Sequence, residues 1–286
     1  MSNGSHAFET DLHTSADAPR ATQDAQTPGP LRGTVTLMLQ TAFAQRLVSG
    51  RTKAFARDGV LGLFGFAERV RTLWIAAAEA DPYAEWWLLK IERAVAHAEV
   101  ELQTLKSTVL TLLSGCEAMT IVPAASIRPV ETTLQFTSAQ AFRGAQLVGH
   151  ADAVARAILT ARHVGCLTAQ SAAQTLWRVG HAVRSAFGAA QGYVATGITR
   201  EDFANATPRA AFGVQAMGIL PSVILNESVT PENLPRRRRG ERGPVMNRVT
   251  EGLTPREIEP PTREACEVSP STSTFEEDLS ELFSSP

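Results

Sequence analysis

The stretch DPYAEWWLLKIERAVAHAEVELQTLKSTVLTLLSG, residues 81–115, decides the fold class. Asp81 is a natural helix cap and Pro82 suits the first helical position. Apolar residues then recur at Ala84, Leu88, Ile91, Val95, Ala98, Leu102, Leu105, Val109 and Leu112, alternating steps of four and three. That is a heptad stripe closed by Gly115. At about 1.5 Å per residue the helix is roughly 48 Å long, too long to stand with one bare stripe. It must bury the stripe against other helices or a second chain. Trp86 and Trp87 point about 100° apart around it, and core packing is the favoured reading for both.

Working outward, more helices appear. One is expected over roughly 41–49, ending at Gly50, and another near 66–79, after a glycine-containing loop over 51–65. Residues 139–163 form a helix with Leu147, Ala151, Val154 and Ile158 on one side and Asp152 and Arg156 paired at i,i+4 on the other. A helix follows near 169–187. Thr199 with Asp202 reads as a capping-box variant, and Thr207-Pro208 opens a short helix closed by Gly218.

Two stretches break this pattern. GTVTLMLQ (33–40) and PVETTLQFTS (129–138) alternate with period two. Val35, Leu37, Leu39, Leu134 and Phe136 take one face. Thr34, Thr36 and Gln40 in the first stretch, and Thr133, Gln135 and Thr137 in the second, take the other. The expected fold is mainly α: a helical bundle with one very long heptad-patterned helix and a short two-stranded antiparallel β-ribbon. The two regions also resemble each other. TLMLQTAFAQRLVSG and TLQFTSAQAFRGAQLVG share a Thr-Leu strand, an Ala-Phe helix start and a Leu-Val run, which an internal duplication or a coincidence among Ala, Leu and Thr would both give.

Domain organisation follows from composition. Residues 1–30 are rich in Thr, Ala, Ser, Asp and Pro without period and are expected to be a disordered arm. Residues 31–225 form the body, and 226–286 a disordered tail with Arg236–Arg239 and an acidic end. Formal charge is −3, +5 and −4 over these three segments. A mildly basic body between acidic tails is compatible with a polyanionic partner, and equally with an ordinary solvated surface. Cys116, Cys166 and Cys266 contain no CxxC pair and suit free thiols in a reducing cytoplasm. No signal peptide and no membrane span are expected.

Catalytic chemistry is not indicated. His6, His13, His97, His150, His163 and His181 show no zinc-like spacing, and GxGxxG, Walker A and GxSxG motifs are missing. The chain is not expected to be an enzyme or to carry a cofactor or metal. The polar strand face suggests something else. A two-stranded ribbon fits the major groove of double-stranded DNA; Gln pairs with an adenine edge, and Thr meets the thymine methyl. Candidate base-reading residues are Thr133, Gln135, Thr137, Thr34, Thr36 and Gln40. Arg46, Arg51, Lys53 and Arg143 are candidate phosphate contacts. A plain structural ribbon capping the bundle remains the other reading. The Arg236–Arg239 run would add salt-sensitive phosphate binding, or serve as a linker. The segment FEEDLSELF suits a protein partner's helix groove.

The chain also resembles a known family. LVSGRT, GLFGF, DPYAEWWLLKIE, LQFTS, LTARHVG and TGITREDF…RAAFGVQAMGILP follow, in that order, the pattern of integrating conjugative element proteins of unknown function. That family includes AcaB-like transcriptional regulators, whose DNA-binding part looks like a ribbon-helix-helix. The likeness spans roughly 31–225. It implies control of transfer genes on a mobile element in a bacterium. With the polar-faced ribbon and the basic body, the leading expectation is a sequence-specific DNA-binding regulator of these conjugation genes, a homodimer, cytoplasmic and nucleoid-associated if it binds DNA. The body is about four times the size of a standard ribbon-helix-helix module. A helical adaptor of the conjugation or replication machinery that binds only protein is the alternative.

Overall fold

The structure is a computed structural model, described over residues 35–51, 59–115 and 119–236. The elements run β1 (Val35–Leu39), α1 (Ala42–Ser49), α2 (Leu63–Ala78), α3 (Pro82–Ser114), β2 (Val130–Leu134), α4 (Ala139–His163), α5 (Ala169–Gly188), α6 (Arg200–Ala204), α7 (Pro208–Met217) and α8 (Ser222–Leu225). The mainly helical fold with one small ribbon is therefore as expected. No helix among the described residues is long and apolar enough to cross a membrane.

Six of the eight helices among the described residues start where a side chain satisfies a first-turn amide. Thr41 accepts from Ala44 N, Asp81 from Tyr83 N and Ala84 N, and Ser138 from Ala141 N. Thr168 accepts from Ser171 N, Thr199 forms a reciprocal capping box with Asp202, and Thr207 accepts from Ala210 N. Each such cap contributes about 1 kcal/mol. Gly50 closes α1 at φ 66°, where a side chain would be strained. A Cβ on Gly62 would also lie 2.4 Å from Gly50 N, so the two glycines let the chain cross itself. Mutual backbone bonds of 2.8 Å between Arg51 and Val60 close the base of that crossing.

The heptad stripe is the core of α3. Ala84, Leu88, Ile91, Val95, Ala98, Leu102, Leu105 and Val109 are buried. The pattern then departs from expectation: Leu112 is 43% exposed and Leu113 is buried instead. A straight helix drifts about 20° per heptad against a strict seven-residue repeat, and one extra residue resets the stripe. The stripe packs on α4 and α5 of the same chain, with α2 against α3 and α4.

Around α3 the order strand–helix–helix occurs twice, as β1–α1–α2 and β2–α4–α5. The two sets interlock, with α1 contacting α4 and α5, and α2 contacting α4. Phe66 of α2 and Phe187 of α5 stack at 4.6 Å. Gly144 of α4 sits beneath them, where a Cβ would come within 2.6 Å of Phe66.

One polar arrangement differs from the sequence reading. Asp152 does not pair with Arg156. It is buried, accepting from Thr41 Oγ1 at 2.6 Å and Gln40 N at 3.0 Å. Arg156 donates to the carbonyls of Ala124 and Pro123. Each group found a partner on another element, which local spacing does not encode. Glu92, also buried, accepts from Gln140 Nε2, Glu232 N and Asn233 N, joining α3, α4 and the chain beyond α8.

The start of α3 is a second hub. Tyr193 donates to Asp81 at 2.8 Å, Tyr83 to Gly218 O at 2.7 Å, and Trp87 Nε1 to Gln191 O at 2.7 Å. Arg200 pairs with buried Glu85 and donates to Ile224 O. Lys90 Nζ lies 3.4 Å over Trp86 and 3.8 Å over Trp87. Burial pushes the Asp81 carboxyl and the Tyr193 hydroxyl up and the Lys90 ammonium down. Trp87 is buried and Trp86 half-buried, so both tryptophans serve packing, as expected.

Candidate nucleic-acid interface

β1 and β2 pair antiparallel within one chain, with Val35 opposite Leu134, Thr36 opposite Thr133, Leu37 opposite Thr132, Met38 opposite Glu131 and Leu39 opposite Val130. Opposed residues share a face. Leu39 and Leu134 are buried, and Leu37, Thr132 and Phe136 are half-buried on the inner face. Phe136 packs against Phe142 at 5.4 Å and Phe64 at 6.3 Å. Burying that face fixes the register, since a one-residue slip would turn the leucines to solvent.

The outer face is open. Thr36, Met38, Glu131 and Thr133 are all exposed. Gln135 and Thr137 are exposed as well but lie past the end of β2, because Leu134 pairs with Val35, where the described part of β1 begins. The parity of the two strands predicts these orientations. Met38 and Glu131 complete the face and were absent from the expected set. The signal was present: Glu131 shares the parity of Thr133, and Met38 that of Thr36.

The other expected site residues divide. Gln40 is half-buried, and its side-chain carbonyl accepts from Ser126 N at 2.8 Å, while its backbone amide goes to Asp152. It braces the segment preceding β2 against the ribbon. Arg143 is half-buried with Glu99 3.4 Å from its guanidinium, which offsets its charge. Arg46 and Arg51 are exposed, and so is Arg128, just before β2, which the sequence reading did not single out. Thr34 and Lys53 lie outside the described residues, as does the Arg run after Arg236. Among the described residues no cluster of three or more His, Cys, Asp or Glu side chains is arranged to hold a metal ion. The surface therefore offers hydroxyls, a carboxylate and a thioether on a two-stranded support, with an amide just past its end. Such groups recognise by hydrogen bonding and methyl contact.

Comparison with known proteins adds the family. The family model described as transcriptional regulator AcaB matches residues 27–238. A crystal structure of selenomethionine-containing AcaB from uropathogenic E. coli is similar at 13% sequence identity and a TM-score of 0.47, covering 70% of this chain and 98% of that one. No curated protein matches. The chain belongs to the AcaB transcriptional regulator family.

Proposed function

We propose that this regulator binds double-stranded DNA in a sequence-specific manner and controls transfer genes of a conjugative element, reading the major groove with the β1–β2 ribbon. The observation that carries the reading is the ribbon's open outer face, with Thr36 and Thr133 exposed opposite an inner face of buried leucines, and Gln135 exposed just past the end of β2. A two-stranded ribbon has the width to enter the major groove, and Gln and Thr match adenine and thymine edges there. Arg46, Arg51 and Arg128 are exposed, and would contact phosphates. The strand–helix–helix order, met twice and interlocked, supports a ribbon-helix-helix reading in which one chain supplies both strands. A homodimer is then not needed to build the ribbon; it would set the spacing between two ribbons on the duplex. The protein would work in the bacterial cytoplasm on the nucleoid, and the acidic segment 275–283 would recruit a protein partner.

Fluorescence anisotropy with promoter duplexes from the element tests this. A target sequence should bind at least about 10³-fold more tightly than a scrambled one at physiological salt. Gln135→Ala should remove about 1–3 kcal/mol of that discrimination. Arg46→Ala should weaken both duplexes alike and lower the salt slope by about one. Equal affinity for target and scrambled duplexes would refute the reading.

A further inference from the structure

We infer that the ribbon reads a non-palindromic site, with Gln135 selecting adenine in one half and Glu131 selecting cytosine in the other. The inference rests on the DNA-reading function proposed above and adds the kind of sequence read. It begins with the helix caps. Setting the cap Thr41 against the cap Ser138 places Thr36 against Thr133, Leu37 against Leu134, Ala42 against Ala139, Ala44 against Ala141 and Arg46 against Arg143. Of the thirteen pairs from Thr34–Glu131 to Arg46–Arg143, these five are identical. Thr36 and Thr133 are also directly opposed in the antiparallel ladder. Residues that are equivalent in two halves and also face each other lie on the twofold relation between those halves. The ribbon therefore has a local dyad through the Thr36–Thr133 pair.

A duplex backbone has dyads of its own, and a twofold-symmetric reader selects a palindrome. Here the backbone relation is twofold but the reading groups are not. In the alignment Met38 is the equivalent of Gln135, and Thr34 the equivalent of Glu131. One end of the outer face thus carries Met38 opposite Glu131, both exposed. Just past the other end lies exposed Gln135. The chemistry of the ends differs accordingly. An amide both donates and accepts, matching adenine N6 and N7. A carboxylate only accepts, so it pairs with the cytosine N4 amino group and repels the two acceptors of guanine. The Met38 side chain, 49% exposed on a polar face, suits a thymine methyl beside that cytosine. Exposure differs too: Arg46 is exposed, whereas its equivalent Arg143 is half-buried.

The test is selection from a duplex library with a randomised central segment, using the full chain at fixed moderate salt. The expected enriched motif lacks twofold symmetry, with adenine favoured in one half and cytosine in the other by roughly tenfold or more. Glu131→Gln should move the cytosine preference to adenine and make the motif more symmetric. Gln135→Glu should move the adenine preference to cytosine. Both positions are exposed, so the variants keep the fold, and thermal unfolding checks this. A palindromic motif from the wild-type chain, or a cytosine preference unchanged in Glu131→Gln, overturns the inference while leaving DNA reading intact. Retention of DNA with no enriched sequence overturns the proposed function and this inference together.

Discussion

Replacing Asp152 by alanine removes the acceptor that joins the β1–α1 junction to α4. The carboxylate is 3% exposed and takes the Thr41 hydroxyl at 2.6 Å and the Gln40 amide at 3.0 Å. Hydrogen bonds to a charged group contribute about 1.5–3 kcal/mol each. Both donors are half-buried, so water recovers part of the loss in the variant. The expected destabilisation is therefore about 3 kcal/mol, near the lower end of the sum. For a body of this size that lowers the unfolding midpoint by roughly 6–12 °C. Asp152→Asn keeps the shape but turns one oxygen into an amino group facing a donor, and should cost about half as much. Circular dichroism at 222 nm, followed through thermal and urea unfolding, reads both effects. A midpoint for Asp152→Ala within about 2 °C of wild type would refute the reasoning, because it would mean the junction is held without this carboxylate.

Gly144→Ala should destabilise by about 1–3 kcal/mol, since its Cβ would press on Phe66 at 2.6 Å in a packed ring stack; urea midpoints check this. Gly62→Ala, whose Cβ would meet backbone, should cost at least as much by the same assay. Asp81 predicts a pH effect. Burial raises its carboxyl above the ordinary 3.8, so the folded state favours the protonated form. Its contribution to stability is then greatest below 3.8 and falls as pH rises through the raised folded value. Asn caps as well as Asp, so Asp81→Asn should lose this slope while keeping the helix start. Unfolding free energies of both proteins from pH 3 to 7 should diverge only across that window.

The parts of the fold that depend on local rules were legible in the sequence. Asp81, Thr199 and Thr207 are short polar residues at expected helix starts, and each caps a helix, as do Thr41 and Ser138, which were not singled out. Period-two alternation assigned Leu134 to the inside and Thr133 to the outside. What stayed hidden depended on partners distant along the chain. Asp152 looked like half of a surface pair because Arg156 is four residues away, yet its partners lie in the β1–α1 junction. Gln40 has the parity of a reading residue, but Ser126 takes its carbonyl. Arg143 looked free to grip phosphate until α3 brought Glu99 beside it. The Leu112–Leu113 exchange followed from helix geometry, which a fixed heptad count ignores. The likeness of the two strand regions was loose in the sequence; the opposition of Thr36 and Thr133 appears only in the ladder.

The most direct test of the account pairs one side chain with one base atom. In the selected duplex, the adenine assigned to Gln135 is replaced by 7-deazaadenine, which removes the N7 acceptor from the major groove and leaves base pairing intact. Wild type should bind this duplex roughly tenfold more weakly than the unmodified one, and Gln135→Ala should bind both equally. Equal losses in the two proteins, or no loss in either, would contradict a ribbon seated in the major groove.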